Sequence, residues 1–216
     1  AVCQAMRALD FSPRQSPLHQ SLLYHQAARQ TPAFATEVQP LAQAKLDLAY
    51  HLPAYYRQDN YLTAIVLNGL LGGTPYSLLF TNVREKASLA YYATSSLRAF
   101  SGEILVETGI NPADQTQARA LIEQQVADLA AGKFNDAQFQ RVTEGLVNQY
   151  VTGLDNPNVL AQARLITALM GLEPSQKVAE GLRAVTKEEV ANLAAQMTLE
   201  AVFLLDGKGG ETDGEA

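Results

Sequence analysis

The chain has 216 residues, 47% of them hydrophobic, enough for one large domain or two small ones with a real core. Its formal net charge of −6 argues against a general nucleic-acid or anionic-membrane binder, which needs a basic excess. Apolar runs such as Leu62 to Leu71 and Ala201 to Leu205 fall short of the about 20 residues that a membrane-spanning helix needs.

The single cysteine, Cys3, excludes an internal disulfide framework and fits a reducing, cytoplasmic compartment. No signal-like segment opens the chain. It starts at Ala1 without a methionine, as an excised piece or a processed product would, and its first ten residues read as the tail of something upstream. From Ser12 to Pro40 the composition shifts to Gln, Ser, Pro, Thr and Ala, with Pro13, Pro17, Pro32 and Pro40 as punctuation. This predicts an extended connector with a helical turn around Leu18 to Ala28. Residues 1–40 are thus expected to be tail and linker, 41–207 a packed domain, and 208–216 a flexible polar tail.

The packed body opens with Leu46, Leu48, Tyr50 and Leu52 alternating with Lys45, Asp47, Ala49 and His51, the period of a half-buried strand ended by Pro53. Asp59 or Asn60 then caps a helix with Leu62, Ile65, Val66, Gly69 and Leu70 at helical spacing, and Gly72-Gly73 reads as its left-handed C-cap. Thr74 is the expected N-cap, with Pro75 at the first position, of a helix that buries Leu78, Leu79 and Val83 and ends near Lys86. Leu89 to Phe100 and Glu103 to Ile110 are strand-like runs around a Ser101-Gly102 hairpin signal. Helices follow over about Asp114 to Ala131 (stopped by Gly132), from Asn135 with Gln138 as its capping pair, over Asn158 to Met170 and over Ser175 to Ala184. Thr186 and Glu189 form a capping box for Lys187 to Met197, and Ala201 to Leu205 is a last strand. Strands that come early and as hairpins, followed by helices in series, predict an α+β two-layer fold with an antiparallel or mixed sheet and helices on one face.

The chemistry-bearing residues are few. His19, His25 and His51 make neither H-E-x-x-H nor H-x-x-E-H, so no zinc site is expected, and His51 reads as a solvated histidine on the polar side of its strand. No serine sits in a G-x-S-x-G elbow. Gly72-Gly73-Thr74 lacks the spacing and lysine of a phosphate loop and is read as cap punctuation. Arg84 and Tyr91 differ, because they flank a helix-to-strand corner where a guanidinium and a phenol are placed to converge on one ligand group. Each also has a plain structural role: a cation complements the end of its helix, and tyrosine suits a strand.

Leu71-Gly72-Gly73, Ser77-Leu78-Leu79-Phe80, Val83-Arg84-Glu85-Lys86 and Leu89-Ala90-Tyr91 together resemble the second half of pitrilysin/insulinase-type zinc peptidases, the inverzincins. The resemblance spans about residues 40 to 206. It implies one α+β half of a clamshell that closes on a peptide. In that family the opposite half holds zinc through H-x-x-E-H, and this half gives an arginine and a tyrosine to the substrate backbone. Those roles carry over to Arg84 and Tyr91. The implied partners are a zinc-binding homologous half, upstream or in another subunit, and a peptide substrate. The missing motif implies no metal bound by this chain and no peptidase activity alone. A catalytically inactive scaffold that keeps the fold is the alternative, and a module that adds a peptide to a sheet edge is a third. A lone half that exposes its chamber face is also expected to pair with itself.

Overall fold

A computed structural model describes residues 22–170 and 177–207, together with Gln4 and Ala8. Cys3, His19, the polar tail from 208 and the start of the helix expected at Ser175 lie outside the described residues.

Five strands form one sheet: β1 (Ala33–Gln39), β2 (Ala44–His51), β3 (Ala90–Arg98), β4 (Glu103–Ile110) and β5 (Thr198–Gly207), in the order β1-β5-β2-β4-β3. The β1–β5 pair is parallel and the others are antiparallel, which makes the sheet mixed. The alternation read in β2 sorts the two faces. Leu46, Leu48 and Tyr50 are buried with Ile104, Val106 and Thr108 opposite them, while Lys45, Asp47 and Glu107 point the other way. Helices cover the apolar face: α1 (Tyr61–Asn68), α2 (Leu79–Lys86), α3 (Gln115–Ala130), α4 (Asp136–Gly153), α6 (Val178–Ala184) and α7 (Lys187–Ala194) contribute Val66, Leu79, Ile122, Val142, Leu182 and Val190 to one core. A further helix, α5 (Pro157–Leu169), stands apart from it. The expected α+β two-layer architecture is the one found.

Capping expectations hold best where the side chain reaches the orphan N–H groups. Asn135 Oδ1 accepts from Gln138 N at 2.7 Å, and Thr186 with Glu189 closes a reciprocal capping box ahead of α7. Thr186→Ala removes that box, and the expected loss is about 1 kcal/mol in a denaturant midpoint. An unchanged midpoint would mean that packing alone fixes the start of α7.

Several readings are corrected. Ala33–Gln39, taken as connector, is edge strand β1, which the sheet accepts from Ala201 onward. Residues 22 to 28 form no helical turn; they strap across the sheet end, where Tyr24 N donates to Phe100 O, Gln26 to Glu103, and Arg29 N to Glu200. His51 lies between those strap contacts, paired in register with Glu103 and Thr198, and is buried rather than solvated. Asn60 places no side-chain bond on α1 and instead donates to Pro53 O. Gly72 and Gly73 form no left-handed cap: Gly69–Gly73 wind on from α1 as a π-helical turn, and the positive-φ glycines are Gly102, in the hairpin, and Gly132. Thr74 does not cap α2; its hydroxyl donates back to Gly69 O.

One buried tyrosine, Tyr50, and one half-buried one, Tyr61, set an alkaline limit. Burial pushes Tyr61 up to about 12, with Tyr56 adding to it and Arg57 opposing, and burial raises Tyr50 as well. The unfolded phenols ionise near about 10, so the folded chain keeps protons that the unfolded chain gives up. Their contribution is whole below about pH 10 and is lost as pH rises through the folded values. Denaturant midpoints are expected to fall steadily from pH 10 to 12; a flat profile there would contradict the burial.

Candidate functional site

Three departures from regular geometry cluster between residues 79 and 92. First, α2 is π-wound, closing i→i+5 bonds such as Ala87 N to Asn82 O, a winding often found at functional sites. Second, Ser88 takes φ 54°, the left-handed conformation that a helix stop requires, and Leu89 N bonds back to Val83 O at 3.1 Å. Third, the β3–β4 register slips between Ala90 and Tyr92, so Tyr91 is the extra residue of a bulge. The Leu89–Val83 bond brings the residue before Arg84 beside the residue two before Tyr91.

Arg84 lies in the last turn of α2, exposed, with its guanidinium carbon 4.7 Å from the centre of the Phe80 ring. Tyr91 is 53% exposed. Among the described residues, neither side chain has a hydrogen-bond or ion-pair partner, and no hydrogen bond joins the two. The corner beneath them is held firmly. Asn82 donates to the buried Gln125 of α3 at 2.6 Å, Lys86 donates to Asn82, and Ser95 of β3 donates to Asn68 at the end of α1. Two free donors on a fixed frame suit recognition of a carbonyl oxygen.

Tyr92 is the residue that sequence reasoning missed. Its ring lies over Gly109, where an added Cβ would come within 2.5 Å of Tyr92 Cε1. Gly109 therefore makes room for Tyr92 on the open sheet face, next to the bulge at Tyr91. Partial burial first, then the Asp47 and Glu107 carboxylates, raise the Tyr92 phenol. Asp47 and Glu107 are direct cross-strand partners of like charge. Burial foremost, and then Glu107, raise Asp47, while Lys45 and a bond from Thr108 N work the other way. The open face beside the corner is thus locally acidic. A glycine opposite an aromatic on a neighbouring strand was the available signal, but it requires the register.

A metal has no evident home here. Among the described residues no three His, Cys, Asp or Glu side chains group closely enough to hold an ion, and His25 stacks on Tyr55 with ring centres 4.0 Å apart. Zinc does not fit the donors present among the described residues. Among the described residues, too, no helix is long and apolar enough to cross a membrane.

This two-layer α+β fold with its mixed sheet is that of a metallopeptidase-like half-domain. It superposes with a TM-score of 0.87 on a conserved protein from Enterococcus faecalis V583, 34% identical, covering 95% of this chain and 48% of that one. A structure described as the peptidase M16 inactive domain from Pseudomonas fluorescens, 17% identical, shares the fold with a TM-score of 0.72 over 94% of this chain and 49% of that one. Residues 4–146 match the family model of the peptidase M16 inactive domain, and the chain belongs to that family. A Bacillus subtilis relative, "Probable inactive metalloprotease YmfF", is 30% identical over 187 residues, 86% of this chain and 44% of its own length. The chain spans about half the length of these relatives.

Proposed function

We propose that this chain is the non-zinc half of an inverzincin-type metallopeptidase assembly. It forms part of the substrate chamber and offers Arg84 and Tyr91 to the peptide backbone, with zinc chemistry supplied by a homologous half in the same polypeptide or in a partner subunit. With Ala33–Gln39 built into this half's own sheet, a link to an upstream half would lie before residue 22. The observation that carries the reading is that Arg84 and Tyr91 stand exposed at one corner, without hydrogen-bond or ion-pair partners among the described residues, on a frame fixed by the Asn82–Gln125 and Ser95–Asn68 bonds. A guanidinium and a phenol there would bind a scissile carbonyl more tightly as its oxygen gains charge. The test is peptide turnover by the assembled halves with Arg84→Ala and Tyr91→Phe, alongside zinc content.

A second reading, a catalytically inactive scaffold, is favoured by one observation: the Bacillus subtilis relative is itself described as probably inactive. The two readings part on the companion half. If it carries H-x-x-E-H, the peptidase reading stands; if it lacks the motif, Arg84 and Tyr91 serve only to hold an extended segment.

A further inference from the structure

The last turn of α4 together with α5 forms an apolar surface that no described element of this chain covers. Val151, Leu154, Val159, Leu160 and Leu165 are between 39% and 59% exposed. The helix α5 is specified locally, since Asn156 accepts from Asn158 N at 2.9 Å and Pro157 occupies the first turn. Yet none of its residues is buried, and among the described elements it packs extensively on none. Its apolar residues lie on all sides: Val159, Ala163 and Ile166 mark one stripe, while Ala161 and Leu165 mark another. A helix that is apolar all round is ordinarily a buried one, and 13 residues alone are marginal in water. Between residues 151 and 169 only Asp155 and Arg164 carry charge, the depletion expected at the centre of an interface.

We propose that this face is where the homologous second half docks, with α5 buried between the two halves. This rests on the two-half reading above and names the surface it uses. The occupant follows from the relatives. The Enterococcus faecalis protein matches nearly all of this chain with under half of its own length, and YmfF does the same, so each carries a further stretch of comparable size. The exposed face offered here is neutral and aliphatic, which selects an apolar protein surface. At roughly 1.5 Å per residue the helix is also too short to span a bilayer of about 30 Å.

The experiment compares hydrogen exchange of this chain alone and in the assembly with its zinc-type half, and measures association after Leu160→Glu and Leu165→Glu. The expected result is slow exchange at residues 160–169 only in the assembly. Association should weaken about tenfold or more in each variant, as for a truncated hot-spot side chain. The melting temperature of the isolated chain should stay unchanged, because both residues are already exposed. Association that leaves α5 exchanging freely would overturn this inference alone, whereas halves that never associate would overturn the two-half reading as well. Protection of α5 in the isolated chain, with a doubled mass, would assign the face to a second copy and overturn the choice of occupant.

Discussion

Arg84→Ala in the complete two-half assembly is expected to lower peptide turnover by about two to three powers of ten, with zinc content intact. The size of that loss follows from what Arg84 does and does not do in the fold. Its guanidinium lies over the Phe80 ring, and an exposed cation–π contact of this kind is worth about 0.5–1 kcal/mol. Truncation therefore costs little stability, and the thermal midpoint of the half should move by no more than a few degrees. A donor that meets a carbonyl oxygen only as it becomes an oxyanion costs far more when lost, because its interaction is made in the transition state and not in the free enzyme. Arg84→Lys separates geometry from charge: it keeps the cation and loses the planar fork, so it should recover only part of the rate. Tyr91→Phe removes the second donor and keeps the ring on its bulge. Turnover that is indifferent to Arg84→Ala would sink the assigned role and leave the arginine as a helix-end cation.

The parts of this fold legible in the sequence are those encoded locally. The strict alternation of Leu46, Leu48 and Tyr50 marks β2 without reference to any partner, and Thr186 with Glu189 marks the start of α7 within four residues. Strand β1 was not legible for the opposite reason. Its pairing joins Ala33 to Ala201, across most of the chain, and Pro32 and Pro40 at its ends read as connector. An edge strand tolerates flanking proline because one side of it needs no ladder bonds. The site divides in the same way. Residue type marks the helix-to-strand corner at Arg84 and Tyr91, whereas the role given to the pair comes only from the family resemblance. The π winding of α2, the left-handed Ser88 and the bulge at Tyr91 have no signature in residue type, because each is imposed by the packing of α2 and β3 on neighbours far off in sequence. Gly72 and Gly73 show the limit of local reading most plainly, since a Gly-Gly pair after a helix means a left-handed stop by propensity, while here backbone proximity governs.

That proximity makes Gly72→Ala the most damaging small substitution expected outside the site. An added Cβ at Gly72 would lie 2.5 Å from Ser95 N and 2.8 Å from both Leu79 Cδ1 and Ser95 Oγ. Leu79 is able to change rotamer at modest cost, but the backbone of β3, held at Ser95 by its ladder to Val106 of β4, has no such freedom. Overpacking of this kind ordinarily costs about 1–3 kcal/mol, and a backbone clash belongs at the upper end, so the thermal midpoint should drop by roughly 6–12 °C. Gly145→Ala is the internal control: it lies exposed within α4 with nothing inside 4 Å of its new Cβ, so it should hold or gain up to about 1 kcal/mol from helix propensity. The contrast matters for function as well as stability. Leu79 opens α2 and Ser95 lies four residues beyond Tyr91 on β3, so a wedge at Gly72 drives apart the two elements that carry Arg84 and Tyr91. In the proposed two-half assembly, Gly72→Ala should therefore reduce turnover even at temperatures where the fold is intact, while Gly145→Ala leaves it unchanged. Equal turnover in the two variants well below their midpoints would show that the spacing of α2 and β3 does not set the geometry of the pair.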